Sequence, residues 1–537
     1  MIGERAWLAL PRPAPVALVR AVLLPLSITI WCLHSLFGPG YVLQIDAVFG
    51  PRMPLSLSVS APLVLVAHIV GGYWAGRLFL GLALFLCGFG PMVLLRRLTW
   101  LAQVPAGLLG MLNPFVYDRM VEGQFGVAAG VGAIFLWVAA WESLQDNPRL
   151  SSLVFAAMAG WLAVVLDEHT IGPILLLALT SLLWHRVWRE PGRLLWGLGG
   201  FLLLVAALSY ALPPFFLGHG NGTYYAVQHF SRADLLEFRS TPSPRYGLWV
   251  NLLGLYGFWA ERLGRIPMVN AGAPWWPLPA LILSALALTG AWVARQRSWL
   301  LATGLLGLLV AGSTATIPGQ EAFLWLMQRL PLVGAYREPE KWSSLWLLAV
   351  VVLAAETVAR VARGSRAAGW APALAVVMVG ATLLPAGAAA LRELPATIRP
   401  ARYPTSWATA AAYLERHVPQ GSPVLVLPWT LYEELPFTGN LLTANPAPVY
   451  FPGHLISPND LQIPGAVTES RAPGNLTQLA LKPLAPHCAL ARGLRRLGIH
   501  WVIVEPAPGN LQVASALQGC EFGVRSGRLP GLVVLSG

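Results

Sequence analysis

The sequence predicts a polytopic α-helical membrane protein with an extracytoplasmic α/β or α+β tail, and three observations lead there. Of 537 residues, 56% are hydrophobic and only 11% charged, with a mean hydropathy of +0.60. That is too little charge to coat a soluble protein of this size. Apolar runs of about 20 residues recur, each long enough to cross the roughly 30 Å hydrocarbon layer as a helix. After residue 390 the chain gains proline and polar residues, and helical spacing alternates with short apolar runs that read as strands.

The apolar runs place eleven spans near 16–37, 76–95, 98–114, 124–143, 150–169, 171–188, 194–214, 275–294, 298–316, 342–362 and 370–390; the third is short and holds Pro105. Every second connection is short and rich in arginine. On that side 14 arginines, Arg96, Arg97, Arg297 and Arg363 among them, face five acids: Glu4, Glu142, Asp146, Glu190 and Glu356. The opposite side of the membrane part holds 11 cations and 11 acids. Such an excess marks cytoplasmic loops, so the N-terminus is expected inside and the tail outside the plasma membrane. The first run ends in Gly38-Pro39-Gly40 without a small-x-small cleavage pattern and reads as a retained anchor, not a signal peptide. The net charge of +12 is thus a topology signal. No basic stripe with interleaved aromatics accompanies it, which argues against nucleic-acid binding. Arginine outnumbers lysine 34 to 2, in keeping with a GC-rich bacterial genome.

Two regions follow: a transmembrane part, 1–390, with long outer loops at 38–75, 215–274 and 317–341, and an extracytoplasmic tail, 391–537. Inner loops are short, so the outer face is the working face. The apolar stretch 61–70 is too short to cross and is expected to lie in the interface or re-enter. Residues 246–259 read as an aromatic helix at headgroup level, and Glu321 to Leu330 as an amphipathic piece. In the tail, 406–417 and 490–497 have helical spacing, while 423–427, 499–504 and 532–535 read as strands. Cys32 and Cys87 fall inside spans and read as small apolar fillers. Cys488 and Cys520 share the oxidising side and are a disulfide candidate. Four cysteines without paired spacing give no metal motif.

Ionisable groups gather in the outer connections. Asp46 stands alone in the first outer loop. Tyr117, Asp118, Arg119, Glu122 and Gln124 lie in the second. Asp167, Glu168 and His169 end the fifth span, and Arg337 and Lys341 precede the tenth. Any one such charge is most simply an interface anchor; Asp234 and Glu237 read as a solvated loop. Three adjacent residues such as 167–169 do not share a helix face, so they do not make a metal site alone. Ionisable residues held near a membrane are costly, however, and their convergence marks function. A carboxylate base beside cations suits transfer from an anionic lipid carrier: the base takes a proton from an acceptor hydroxyl while the cations stabilise the departing phosphate.

The segments 40–49 (GYVLQIDAVF), 113–119 (NPFVYDR) with Gly123-Gln124, and 337–342 (REPEKW) resemble a prokaryotic branch of the GT-C superfamily of polyprenyl-phosphate-sugar-dependent glycosyltransferases. Most similar are the mycobacterial arabinofuranosyltransferases of the AftD type. The tail segment 497–504 (LGIHWVIV) is similar to the tails of YfhO-like membrane proteins. The resemblance spans roughly 16–390. It implies a multi-spanning membrane glycosyltransferase of cell-wall biogenesis, with a polyprenyl-phosphate sugar, such as a pentose like arabinofuranose, as donor and an extracytoplasmic glycan as acceptor. By the resemblance Asp46 takes the catalytic-base position. Arg119, Arg337 and Lys341 are the proposed donor-phosphate ligands, with Tyr117, Asp118, Glu122, Gln124, Asp167, Glu168 and His169 supporting. Many superfamily members carry two adjacent acids in the first loop, where Ile45 and Ala47 flank a single Asp46 here, which leaves a divalent-metal requirement open. Two other readings compete: a transporter or flippase of a lipid-linked precursor, opposed by spans almost free of charge at their centres, and a non-catalytic cell-envelope scaffold.

Overall fold

The computed structural model describes residues 15–55, 60–209, 232–270, 273–364, 367–427, 429–457, 461–463, 466–468, 488–505, 517, 520, 523–524 and 533–536. The expected inner-side residues Glu4, Arg5, Arg12 and Arg366, and the first part of the middle outer segment, lie outside these.

A helix stands at each of the eleven expected spans. Five helical stretches are long and apolar enough to cross a membrane alone: Val19–Phe37, Gly72–Leu94, Phe125–Asp146, Pro339–Arg363 and Ala368–Thr397. Pro277–Val293 and Arg295–Ser313 qualify only together, bent by 111°. Leu150–Leu166, Glu168–Trp184 and Pro191–Ala207 are shorter. The chain is a multi-pass membrane protein, but eleven crossings exceed what helix length supports among the described residues. The physical reason is local: apolar loop residues lengthen a run without lengthening its helix. The third run, for example, loses its ends to Thr99 and the cap residue Asn113, leaving the helix Trp100–Met111.

The bundle is organised around two buried helices. In Ser343–Arg363 residues 343 to 359 are all buried, as expected of a helix that is hydrophobic all round. Phe125–Asp146 packs between Gly72–Leu94 and Leu150–Leu166. A Cβ at Gly132 would stand 2.5 Å from the Leu86 carbonyl carbon, so glycine there lets two backbones approach, the usual means of packing helices in lipid. The outside of the bundle presents Trp31, Leu78, Leu198, Trp292, Leu309 and Val376. At the ends assigned to the cytoplasm Arg297 binds Glu142 (3.0 and 2.7 Å) and Glu356 (2.7 Å), so this arginine also stitches three helices together.

In the tail a five-stranded mixed sheet runs in the order Gly523–Val524, Val533–Ser536, Trp501–Val504, Pro423–Leu427, His454–Ile456. The last three strands are mutually parallel and the first two antiparallel. Alternation along Pro423–Leu427 sends Val424 and Val426 to a core with Trp407 and Leu414 from the helix Thr405–His417. Leu425 and Leu427 go to the other face, with Leu494 from Ala489–Arg496. Cys488 and Cys520 are joined as a disulfide beside that second core.

The tail is tied to the first outer loop by backbone. Tyr41–Val42 pairs antiparallel with Pro400–Ala401, Ala444 N donates to the Ile45 carbonyl at 2.8 Å, and Arg52 N to that of Val449 at 2.9 Å. The Thr443 hydroxyl bonds the Gln44 carbonyl at 2.9 Å, and Arg52 pairs with Glu415. The expected aromatic interface helix is instead two short ones, Gly247–Leu253 and Trp259–Arg262, with Phe258 and Trp259 buried. Ile317–Arg329 forms where the amphipathic piece was expected, and Ala61–Val70 is a short apolar helix.

Candidate active site

The site begins with a short helix that the sequence caps at both ends. The Asn113 side chain accepts from Val116 N at 3.0 Å, Pro114 occupies the first turn, and Gly123 closes Pro114–Glu122 at φ +84°. The first outer loop lies directly on that glycine: Asp46 N donates to the Glu122 carbonyl at 2.8 Å, and a Cβ on Gly123 would meet Ala47 N at 2.6 Å.

Asp46 therefore sits at the end of this helix, still open to solvent. Gln124 Nε2 donates to its Oδ2 at 3.0 Å and the Tyr432 hydroxyl, from the tail, to its Oδ1 at 2.7 Å. From Gln124 the contacts run on. Its Oε1 accepts from Arg119, whose guanidinium also pairs with Glu340 and, at 3.2 Å, with Glu338. Glu338 takes Lys341 at 3.4 Å and the Trp259 indole N–H at 3.1 Å. The Lys341 ammonium reaches His169 Nε2 at 3.3 Å, and His169 Nδ1 meets Asp167 Oδ1 at 2.6 Å. A ring N–H given to Asp167 leaves Nε2 to accept from Lys341. The first, second, fifth-span and tenth-span groups thus meet in one array.

Electrostatics separate its two ends. Surrounding protein, and to a lesser extent Glu338, raises Asp46 above the usual aspartate value; the bonds from Gln124 and Tyr432, with Arg265 nearby, hold it down only partly. Burial also raises Glu122, with the Asp46 charge adding to it. Asp118 and Glu261 are both pushed up, chiefly by burial, with the Glu261 charge adding to the rise at Asp118. Glu338 behaves oppositely: burial alone would raise it, but Lys341, Arg119 and Arg337 outweigh that and keep it ionised.

Several expected roles need revision. Arg119 is fully buried, stacked 3.8 Å over the Phe258 ring and engaged by two glutamates, so it does not present a phosphate-binding face. Lys341 is only 7% exposed and committed to Glu338 and His169. Both cations looked available because a buried cation's counter-charges are invisible until the chain folds; here Glu338 and Glu340 of the same motif supply them. Arg337 lies over the Phe238 ring at 5.0 Å. Tyr117 points elsewhere, donating to Glu393 at 2.6 Å, and Glu168 is exposed outside the array. Asp234 is buried, not part of a solvated loop, and Glu237 pairs with Arg262. Among the described residues no three His, Cys, Asp or Glu side chains are grouped to hold a metal ion.

Sequence reading missed Tyr432 and Arg265. The Arg265 guanidinium covers the Tyr432 ring at 4.5 Å and approaches Glu122 at 3.7 Å. Neither lies in a recognisable local pattern, because each reaches Asp46 from far along the chain.

The fold of this chain is found among solved structures. Its likeness is to arabinofuranosyltransferase AftD from Mycobacteria: the cryo-EM structure of that protein aligns with a TM-score of 0.59 at 14% identity over 97% of this chain. Two classes of a point mutant of the same protein align at 0.54 and 0.52, with 14% and 15% identity over 97% of the chain. The chain spans about two fifths of AftD, 40–41% of its length. No protein-family model and no curated protein matches the sequence. The AftD-like fold read from the loop motifs is thus present in the structure.

Proposed function

We propose that this protein is a membrane glycosyltransferase that moves a sugar from a polyprenyl-phosphate donor to an extracytoplasmic glycan or glycoconjugate, in the plasma membrane of a bacterium. The AftD-like fold supports the class, and a pentose such as arabinofuranose is the sugar that likeness favours. The observation that carries the reading is Asp46: a solvent-open carboxylate, its two oxygens each oriented by one neutral donor, at the mouth of a membrane bundle.

In this mechanism the acceptor hydroxyl gives its proton to Asp46 as its oxygen bonds the anomeric carbon. The bond from that carbon to the phosphate oxygen breaks, and polyprenyl phosphate leaves with the bonding pair. Arg119, Glu338, Lys341 and His169 act as a rigid support that fixes Gln124, and through it the base. Arg337 and Arg265 supply positive charge near the departing phosphate. Donor consumption in proteoliposomes tests the reading, with labelled polyprenyl-phosphate pentose and a glycan acceptor outside. Transfer by the wild type that Asp46→Asn abolishes supports it; a wild type that moves the intact lipid across the bilayer without cleaving it favours the flippase instead.

A further inference from the structure

Tyr432 belongs to the tail, yet its neighbours are those of the site. It opens a two-stranded hairpin, Tyr432–Glu434 with Leu442–Ala444, in which Tyr432 stands opposite Ala444. Ala444 N is bonded to the carbonyl of Ile45, the residue before Asp46, and Thr443 to that of Gln44. Anchoring one strand on the first outer loop therefore sets the height at which Tyr432 faces Asp46. Arg265, 4.5 Å over its ring, holds the tyrosine from the other side.

We propose that Tyr432 is a positioning residue of this site, donating its phenol hydrogen to the base, so that the tail hairpin and the end of the helix Pro114–Glu122 hold Asp46 between them. The proposal rests on Asp46 being the base. Burial and the Asp46 charge both raise the Tyr432 phenol, which keeps it protonated and a donor throughout the working range. The tail is then part of the catalytic apparatus.

The groups facing Asp46 are Gln124 and Glu122 from the end of the helix, Glu338 before the tenth expected span, Arg265, and Tyr432. Tyr432→Phe removes one donor and leaves the other four. Infrared difference titration of wild type against Asp46→Asn, in nanodiscs, reads the Asp46 carboxyl without turnover. In Tyr432→Phe the midpoint is expected to rise by about one pH unit, tenfold in proton affinity, with the acid limb of the transfer rate moving alongside and thermal melting unchanged. Thr443→Val, which cuts the hairpin's side-chain anchor, moves it the same way but less. An unmoved midpoint in Tyr432→Phe overturns the proposal, as does a loss of transfer equal at every pH. If the midpoint rises while neither protein transfers sugar, Tyr432's placement stands and the transferase reading fails. If transfer proceeds with superimposable profiles, the reverse holds.

Discussion

A carboxylate held by two neutral donors is oriented without being neutralised, which is the state a general base needs. Asp46→Asn keeps the shape and replaces the basic carboxylate with a non-basic amide, so transfer should fall by about 10²–10⁴-fold with melting unchanged. Because its pKa is raised, the base is lost to protonation above the ordinary aspartate range. The rate should therefore decline as pH falls through that raised value, and Gln124→Leu, which deletes a bond to the ionised form, should shift the decline to higher pH in a rate–pH series. Arg119 predicts a different phenotype. Arg119→Met takes the guanidinium from buried Glu340 and leaves Glu338 with Lys341 and Trp259, and should cost about 3–5 kcal/mol of stability, read as a lowered melting temperature. At this scale the sequence disclosed Asp46, Arg119, Gln124, Lys341 and His169, because charges beside apolar spans stand out. It could not disclose Tyr432 or Arg265, whose roles come from chain segments more than 100 residues from Asp46, nor that the cations would be spent on internal glutamates.

Helix ends set the geometry that those side chains use. Pro114–Glu122 was legible only as a loop motif by resemblance; that it is a helix, with a cap, a proline and a closing glycine, went unread although those signals are local. The glycine also lets the first loop approach. Gly123→Ala places a methyl on a left-handed residue against Ala47, which costs about 1–3 kcal/mol. Transfer should drop along with the melting temperature, whereas the same change at Gly192, where a Cβ meets nothing within 4 Å, should do neither. Span positions were legible, since hydropathy reports where a helix lies. Their lengths were not: loop residues at either end shorten a helix within an apolar run, as in Trp100–Met111, which continues through Pro105.

For the whole molecule, arginine placement and the tail's contacts point to the same arrangement. The backbone bonds between the first loop and the tail hold both together on one side, and the positive-inside asymmetry predicts that this side is the exterior. In intact cells, with Cys32 and Cys87 buried, a membrane-impermeant maleimide should label Ser422→Cys in the tail but not Gln296→Cys beside the arginine-rich inner ends. The tail's helices and strands were readable from their alternation, but its docking on Asp46 was not, because only tertiary contacts report it. The measurement that bears most directly on the central claim is sugar transfer from a polyprenyl-phosphate donor by wild type and Asp46→Asn, reconstituted side by side. The account predicts turnover in the first and loss of at least two orders of magnitude in the second; equal turnover in both would contradict it.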